Sequence, residues 1–350
     1  MGKFFGWDFR TGLLIGLAIA IAVAAGAVTY ERYDTKTLKR TVRRDAVHCG
    51  VNTGLPGFSS VDDKGNWSGF DLDFCRAIAA AIFDDPTKVN FVPLDSKERF
   101  TDLGKRKVDV LARNSTWTMS RETEYYLHFA GVSYYDGQGF MVQRARNVDS
   151  ALALDGSKIC VQSNTTTELN LADYFRANNM KYEEKKFGTL DDVFKAYESG
   201  QCDTLTSDVS QLYAMRLRLG KPGEHVILAD VISKEPLAPV VRQKDDDWLL
   251  LVKWTLFAMI NAEELGITSQ NIDEAMKSKK PDVMRFVGTD GEYGAQIDLT
   301  SDWAARIIRR VGNYGEVYER NVGTASKLGI PRGLNQLWNA GGILYAPPIR

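Results

Sequence analysis

Residues 47–92, VHCGVNTGLPGFSSVDDKGNWSGFDLDFCRAIAAAIFDDPTKVNFV, decide the fold class. Val47 to Asn52 is a short apolar run that reads as a first strand, and it empties into a Gly/Pro-rich loop from Thr53 to Ser60. Asp71 then stands where it can cap a helix running to about Phe83, because Phe74, Cys75, Ile78, Ala79 and Ile82 recur at the spacing of one buried helical face. Val89 to Val92 reads as the next strand. Strand, helix, strand in this order is the building unit of a mainly parallel sheet.

Working outward, Ser96 to Gly104 reads as a helix and Val108 to Ala112 as a strand delivering the segment Arg113 to Arg121. A second, similar set follows. It comprises a strand at Ile159 to Val161, a helix from Thr166 to Asn178, a strand near Tyr182 to Lys185, a helix from Leu190 to Ser199 and a strand at Cys202 to Thr206. Phe140 to Arg144 and Val231 to Leu237 are extended stretches placed to carry the chain into a second lobe and back. Asp247 to Leu265 is apolar on most sides and too short to span a membrane, which predicts a buried core helix. Asp302 to Val322 predicts a single amphipathic helix with Trp303, Ile307, Val311, Tyr314 and Tyr318 on its inner face. The expected organisation is 1–28 signal peptide or membrane anchor, 29–45 basic linker, 46–142 and 233–290 the two parts of lobe 1, 143–232 lobe 2, and 291–350 a helical extension packed on the body.

Composition narrows the function. The 350 residues hold 44 Lys+Arg against 45 Asp+Glu, so no basic field exists for gripping nucleic acid. Three scattered histidines, His48, His128 and His225, with no HExxH or CxxC, leave no zinc motif and imply neither metal nor cofactor. Gly12 to Val28 is an uncharged apolar run that is either a signal-peptide core, with Ala25-Gly26-Ala27 suited to cleavage, or a slightly short anchor in the inner membrane. The basic residues after it, Arg32, Lys36, Lys39, Arg40, Arg43 and Arg44, oppose export by the positive-inside rule. The cysteines oppose retention: an early pair, Cys49 and Cys75, and a later pair, Cys160 and Cys202, suit two local disulfides in an oxidising compartment. Four buried thiols are the plainer alternative.

The chemistry concentrates in Asn114-Ser-Thr-Trp-Thr-Met-Ser-Arg121, which sets amide and hydroxyl groups at alternating positions after a strand and ends in a guanidinium one turn past a Thr118 cap. Asn114, Thr116 and Arg121 can converge on one small polar group, and Arg121 has the planar fork that pairs with a carboxylate. Its alternative is an ordinary surface arginine. In the second set, Thr165 and Glu168 sit at capping-box spacing beside Thr166, and Asp208 follows a strand, as a helix cap or as a carboxylate for an ammonium group.

Between about Val47 and Arg242 the chain resembles the family 3 solute-binding proteins of polar amino-acid ABC importers, and from Cys49 to Arg350 the general L-amino-acid-binding subgroup. The resemblance is carried by CGVNTGLPGFS from Cys49, GFDLDFCRAIAAA from Gly69, YYDGQGF from Tyr134, TTTELNLADYF from Thr165, ISKEPL from Ile232, VGNYGE from Val311 and YAPPIR from Tyr345. It implies a type II periplasmic-binding-protein fold: two α/β lobes, joined by two crossover strands, closing on a ligand. It assigns Arg121 to the ligand α-carboxylate, Thr116 and Thr166 to hydroxyl or N–H contacts with that group, and Asp208 to the α-ammonium. Asn114, Thr165, Asn52, Leu55 and Phe58 complete the expected ligand set. Leu55 stands where relatives that prefer basic or polar amino acids often have an aromatic ring, and neutral Asn52 where an acid often fixes a cationic side chain, which implies an undemanding side-chain pocket. Asn164 stands where glycine is usual.

The implied function is a monomeric, non-enzymatic periplasmic subunit that captures L-amino acids with broad specificity and delivers them to the transmembrane subunits of an ABC permease. A membrane-tethered sensor and an enzyme such as a dehydratase or deaminase on the same scaffold are the alternatives. No GxSxG or Walker motif favours the enzyme.

Overall fold

Fourteen strands among the described residues, 36–350 of a computed structural model, run in chain order. They are β1 (Val47–Val51), β2 (Ser60–Val61), β3 (Trp67–Ser68), β4 (Val89–Pro93), β5 (Val110–Leu111), β6 (Leu127–Phe129), β7 (Tyr134–Asp136), β8 (Gln138–Gln143), β9 (Ser157–Gln162), β10 (Tyr182–Phe187), β11 (Thr204–Asp208), β12 (His225–Ile227), β13 (Glu235–Leu237) and β14 (Val240–Arg242). The apolar run Gly12–Val28 lies outside the described residues, and with it the choice between signal peptide and anchor. Among the described residues no helix is long and apolar enough to cross a membrane. The helix Thr37–Arg44 belongs to a separate N-terminal unit ending at Asp45, and it closes with Arg43 and Arg44 in its last turn, where the helix dipole favours cations.

Two five-stranded sheets organise the body, Ala46–Arg350. The first has the order β4-β1-β5-β14-β6, with β1 parallel to β4 and β5, and β14 antiparallel to β5 and β6. The second repeats the design as β10-β9-β11-β8-β12, with β9 parallel to β10 and β11, and β8 antiparallel to β11 and β12. Each sheet buries its own core. Phe100, Leu103, Leu111 and Phe129 cluster in lobe 1, and Phe140, Ile159, Leu171 and Phe175 in lobe 2, each large side chain contributing roughly 1.5–3 kcal/mol.

Between the sheets the chain crosses twice. β7 leads out and β13 returns, paired antiparallel with Asp136 opposite Glu235, Tyr135 opposite Pro236 and Tyr134 opposite Leu237. The return stretch Val231–Leu237 was expected in this role; Phe140–Arg144 was expected as the outgoing one and is not. Residues 140–143 belong to β8 in the second sheet, because Phe140 and Val142 alternate into the lobe 2 core. That alternation gives the stretch its extended look in the sequence.

Local chemistry explains the remaining departures. The helix Phe70–Phe83 is entered from Gly69 rather than capped by Asp71: Gly69 has φ of 143°, and a Cβ there would meet the Phe58 carbonyl oxygen at 2.1 Å. Asp71 is instead buried in the first turn. The helix expected over Asp302–Val322 is two helices, Trp303–Arg310 and Tyr314–Asn321. Gly312, with φ of 99°, breaks it, and Asn313 starts the second with a capping box to Glu316. Both disulfides are closed: Cys49–Cys75 ties β1 to the helix Phe70–Phe83, and Cys160–Cys202 ties β9 to the turn before β11, with Cα separations of 6.3 and 5.7 Å.

The C-terminal segment packs its helices on Phe70–Phe83 and on the core helix Asp246–Glu264, and it also grips the outgoing crossover. The Tyr314 hydroxyl donates to the Ser133 carbonyl at 2.8 Å, the Tyr318 ring stacks on Tyr134 at 5.9 Å, and the Asn335 amide accepts from Tyr135 N at 2.7 Å and donates to Tyr135 O at 3.0 Å. Arg332 holds this arrangement, bonding Glu263 and the Asn335 carbonyl with its guanidinium over the Tyr314 and Tyr318 rings.

Candidate ligand cleft

The ends of both sheets face a cleft floored by the crossover strands. Its lining brings together Asn52, Asn114, Thr116 and Arg121 from lobe 1 with Thr165, Thr166 and Asp208 from lobe 2. Leu55 and Phe58 are elsewhere: both are fully buried, Phe58 edge-on to Phe70 and Tyr134 in the lobe 1 core. The resemblance put both in the ligand set, yet the turn closed by Leu55 and Ser59 folds these side chains inward.

Arg121 sits in the short helix Met119–Glu124, whose Thr118 cap accepts from its own N–H at 3.3 Å. The side chain is 9% exposed, donates from Nη1 to the Thr116 carbonyl at 2.8 Å, and lies with its Cζ 5.4 Å from the Phe100 ring. Burial pushes its pKa below the ordinary guanidinium range, against the pull of Glu235 and Asp208. It is therefore no surface arginine.

Asp208 occupies the position before the helix Val209–Arg218 but makes no side-chain cap; its carboxylate accepts from Gln211 Nε2 at 2.8 Å and lines the cleft. Burial, reinforced by the charges of Asp136 and Glu235, holds its pKa well above the usual carboxylate range. Such a group is stabilised by a cation. Thr165, by contrast, is the N-cap of Thr166–Ala177, with its hydroxyl accepting from Glu168 N at 3.4 Å, and Asn164 takes a φ of 60° that asparagine tolerates where glycine is usual.

Several lining residues were not foreseen. Arg99, Arg113, Gln162, Thr167, Ser207 and Gln211 all face the cleft, and Glu235 of β13 reaches Thr116 and Thr166 from its floor. Arg99 is 3% exposed with an Nε that has no partner among the described residues, its Cζ 4.7 Å from the Phe100 ring. Burial, together with the charges of Arg113 and Arg121, pushes its pKa well below the usual range. Asn114, at φ of 42°, likewise buries both amide atoms unpartnered. The sequence pattern puts Arg99 inside a helix read over Ser96 to Gly104, which in the structure begins at Arg99 itself, but only the fold shows which sheet end that helix meets.

Residues 47–271 match the family profile of bacterial extracellular solute-binding proteins, family 3. The chain belongs to this family. The general L-amino acid-binding periplasmic protein AapJ of Rhizobium johnstonii is 55% identical over 95% of this chain and 98% of its own. The glutamate/glutamine/aspartate/asparagine-binding protein BztA of Rhodobacter capsulatus is 47% identical over 96% and 97%. Among solved structures, an ABC transporter periplasmic binding protein from Brucella ovis with glutathione bound superposes with a TM-score of 0.89 at 53% identity, covering 90% of this chain and all of that one. The family 3 profile ends before the two C-terminal helices, whereas these three relatives extend over them.

Proposed function

We propose that this family 3 protein is the periplasmic binding subunit of an ABC importer, closing its two lobes on L-amino acids of several kinds and passing them unchanged to a membrane permease. The observation that carries the reading is a buried guanidinium and a buried carboxylate, Arg121 and Asp208, facing one cleft from opposite lobes. A zwitterion complements both, and exclusion of water in the closed cleft strengthens both pairings. Arg121 takes the α-carboxylate and Asp208 takes the α-ammonium, with Thr116 and Thr166 beside them. Asn52, Asn114 and Thr165 contribute further polar contacts. Arg99 and Arg113 favour side chains that end in a carboxylate or an amide, since either satisfies a buried donor. The names of the relatives, which span general amino-acid binding and binding of acidic amino acids and their amides, support this breadth.

The test is a thermal-shift screen of residues 45–350 against the twenty L-amino acids, their D-isomers and simple carboxylates, with calorimetry on the hits. A ligand at a hundred times its Kd stabilises the native state by about 2.7 kcal/mol. The expected result is stabilisation by many L-isomers, with glutamate, aspartate and glutamine above lysine and arginine. A flat screen on folded protein overturns the reading.

A further inference from the structure

Glu235, the first residue of the return crossover β13, is 1% exposed and has four partners. Its Oε2 accepts from Thr116 Oγ1 of lobe 1 at 2.6 Å and from Thr166 Oγ1 of lobe 2 at 3.0 Å. Its Oε1 accepts from Asn170 Nδ2 of lobe 2 at 2.7 Å and from Ser233 Oγ at 2.7 Å. One carboxylate carried by the hinge thus gathers both lobes at once.

The direction of these bonds matters. A hydroxyl owns a single proton, and Thr116 and Thr166 each donate theirs to Glu235. Neither has a proton left for the other, 3.3 Å away, or for a ligand carboxylate in the cleft. Both therefore offer lone pairs to the ligand, on the same side of the balance as Asp208. We propose that Glu235 is a positioning residue: by turning the Thr116 and Thr166 hydroxyls it makes the cleft select for an ammonium group, leaving the ligand carboxylate to the guanidinium and backbone N–H groups. The proposal rests on the amino-acid-binding reading above and assigns the two threonine hydroxyls to the opposite end of the ligand.

The test compares L-glutamate with 2-oxoglutarate, a pair that differs in ammonium against keto oxygen, by competition calorimetry on the folded protein. Glu235→Gln retains an acceptor oxygen for Asn170 and Ser233 but presents an NH2 group to the threonines, whose protons then turn toward the cleft. The expected result is a fall of about tenfold or more in the ratio of L-glutamate to 2-oxoglutarate affinity, with 2-oxoglutarate binding held or improved. Equal losses for both ligands overturn the proposal. The Thr116→Val/Thr166→Val variant should lower the ratio as well, and adding Glu235→Gln to it should then change the ratio by less than about twofold. A further large drop means that Glu235 acts by its own charge, which overturns the positioning role. If melting curves show that Glu235→Gln does not fold, the threonine variant decides, an unchanged ratio being the negative result. Wild-type protein that binds no L-amino acid refutes the functional reading itself, an outcome distinct from an unaltered ratio, and takes the proposal with it.

Discussion

Arg121 is held by its own helix cap, by the Thr116 carbonyl and by the Phe100 ring, so its guanidinium is aimed before any ligand arrives. Arg121→Ala is expected to weaken amino-acid binding at least ~30-fold in calorimetry while the fold persists, since a charged hydrogen bond contributes roughly 1.5–3 kcal/mol. Unchanged affinity would refute the carboxylate role. Asp71 makes a prediction of another kind. It is buried with Oδ2 unpartnered, and burial pushes its carboxyl up to about 7 from an ordinary 3.8. The folded chain thus binds the extra proton, so stability from this group is fully present below about pH 4 and is lost as pH rises to about 7. Asp71→Asn should flatten that slope and stabilise the protein at pH 8 by roughly 2–4 kcal/mol, read by chemical denaturation across the range. Equal slopes for both proteins would clear Asp71 of the effect. What the sequence shows at this scale is the identity of several cleft-lining segments. Asn114, Thr116, Arg121 and Thr166 lie in segments that follow strands and Asp208 ends one, and in a βα fold such positions face the crevice. Arg99 and Glu235 were illegible for different reasons: Arg99 follows β4 as the first residue of a helix, where its residue type suggests an ordinary solvated face, and Glu235 rides the return crossover, and only the folded chain aims them inward.

At the scale of elements, alternation and spacing report burial well and boundaries less well. The βα order and the core faces were readable throughout, because the same apolar residues that define the periodicity fill the two cores. Where one backbone geometry overrides the periodicity, the reading stops. Gly312 divides a helix whose hydrophobic face continues unbroken across the gap, and Asn313 with Glu316 was the available sign. Phe140–Gln143 alternates like any strand, and alternation does not say which sheet a strand joins. The disulfides also work at this scale. Replacing Cys160 and Cys202 by serine removes the link between β9 and the start of β11 and should cost about 2–4 kcal/mol. Reductant should lower the melting temperature of the wild type and leave the double variant nearly unmoved at this bridge; peptide mapping that finds free thiols would end the argument.

For the molecule as a whole, the C-terminal extension is part of the hinge. Ser133, Tyr134 and Tyr135, consecutive along the outgoing crossover, are held by Tyr314, Tyr318 and Asn335. Asn335→Ala removes two hydrogen bonds from the Tyr135 backbone and should destabilise the protein by about 1–3 kcal/mol without touching the cleft. Denaturation and ligand calorimetry together check this, an unaltered midpoint being the result that would count against it. The extension clamps the outgoing strand, while the return strand is tied to Thr116 and Thr166 through Glu235 and to the outgoing strand through the β7–β13 pairing. Both crossovers are therefore fastened, at different places. The molecule resembles a door hung on two pins, one set in the C-terminal extension and the other in the walls of the cleft, so that loosening the first shifts load onto the second.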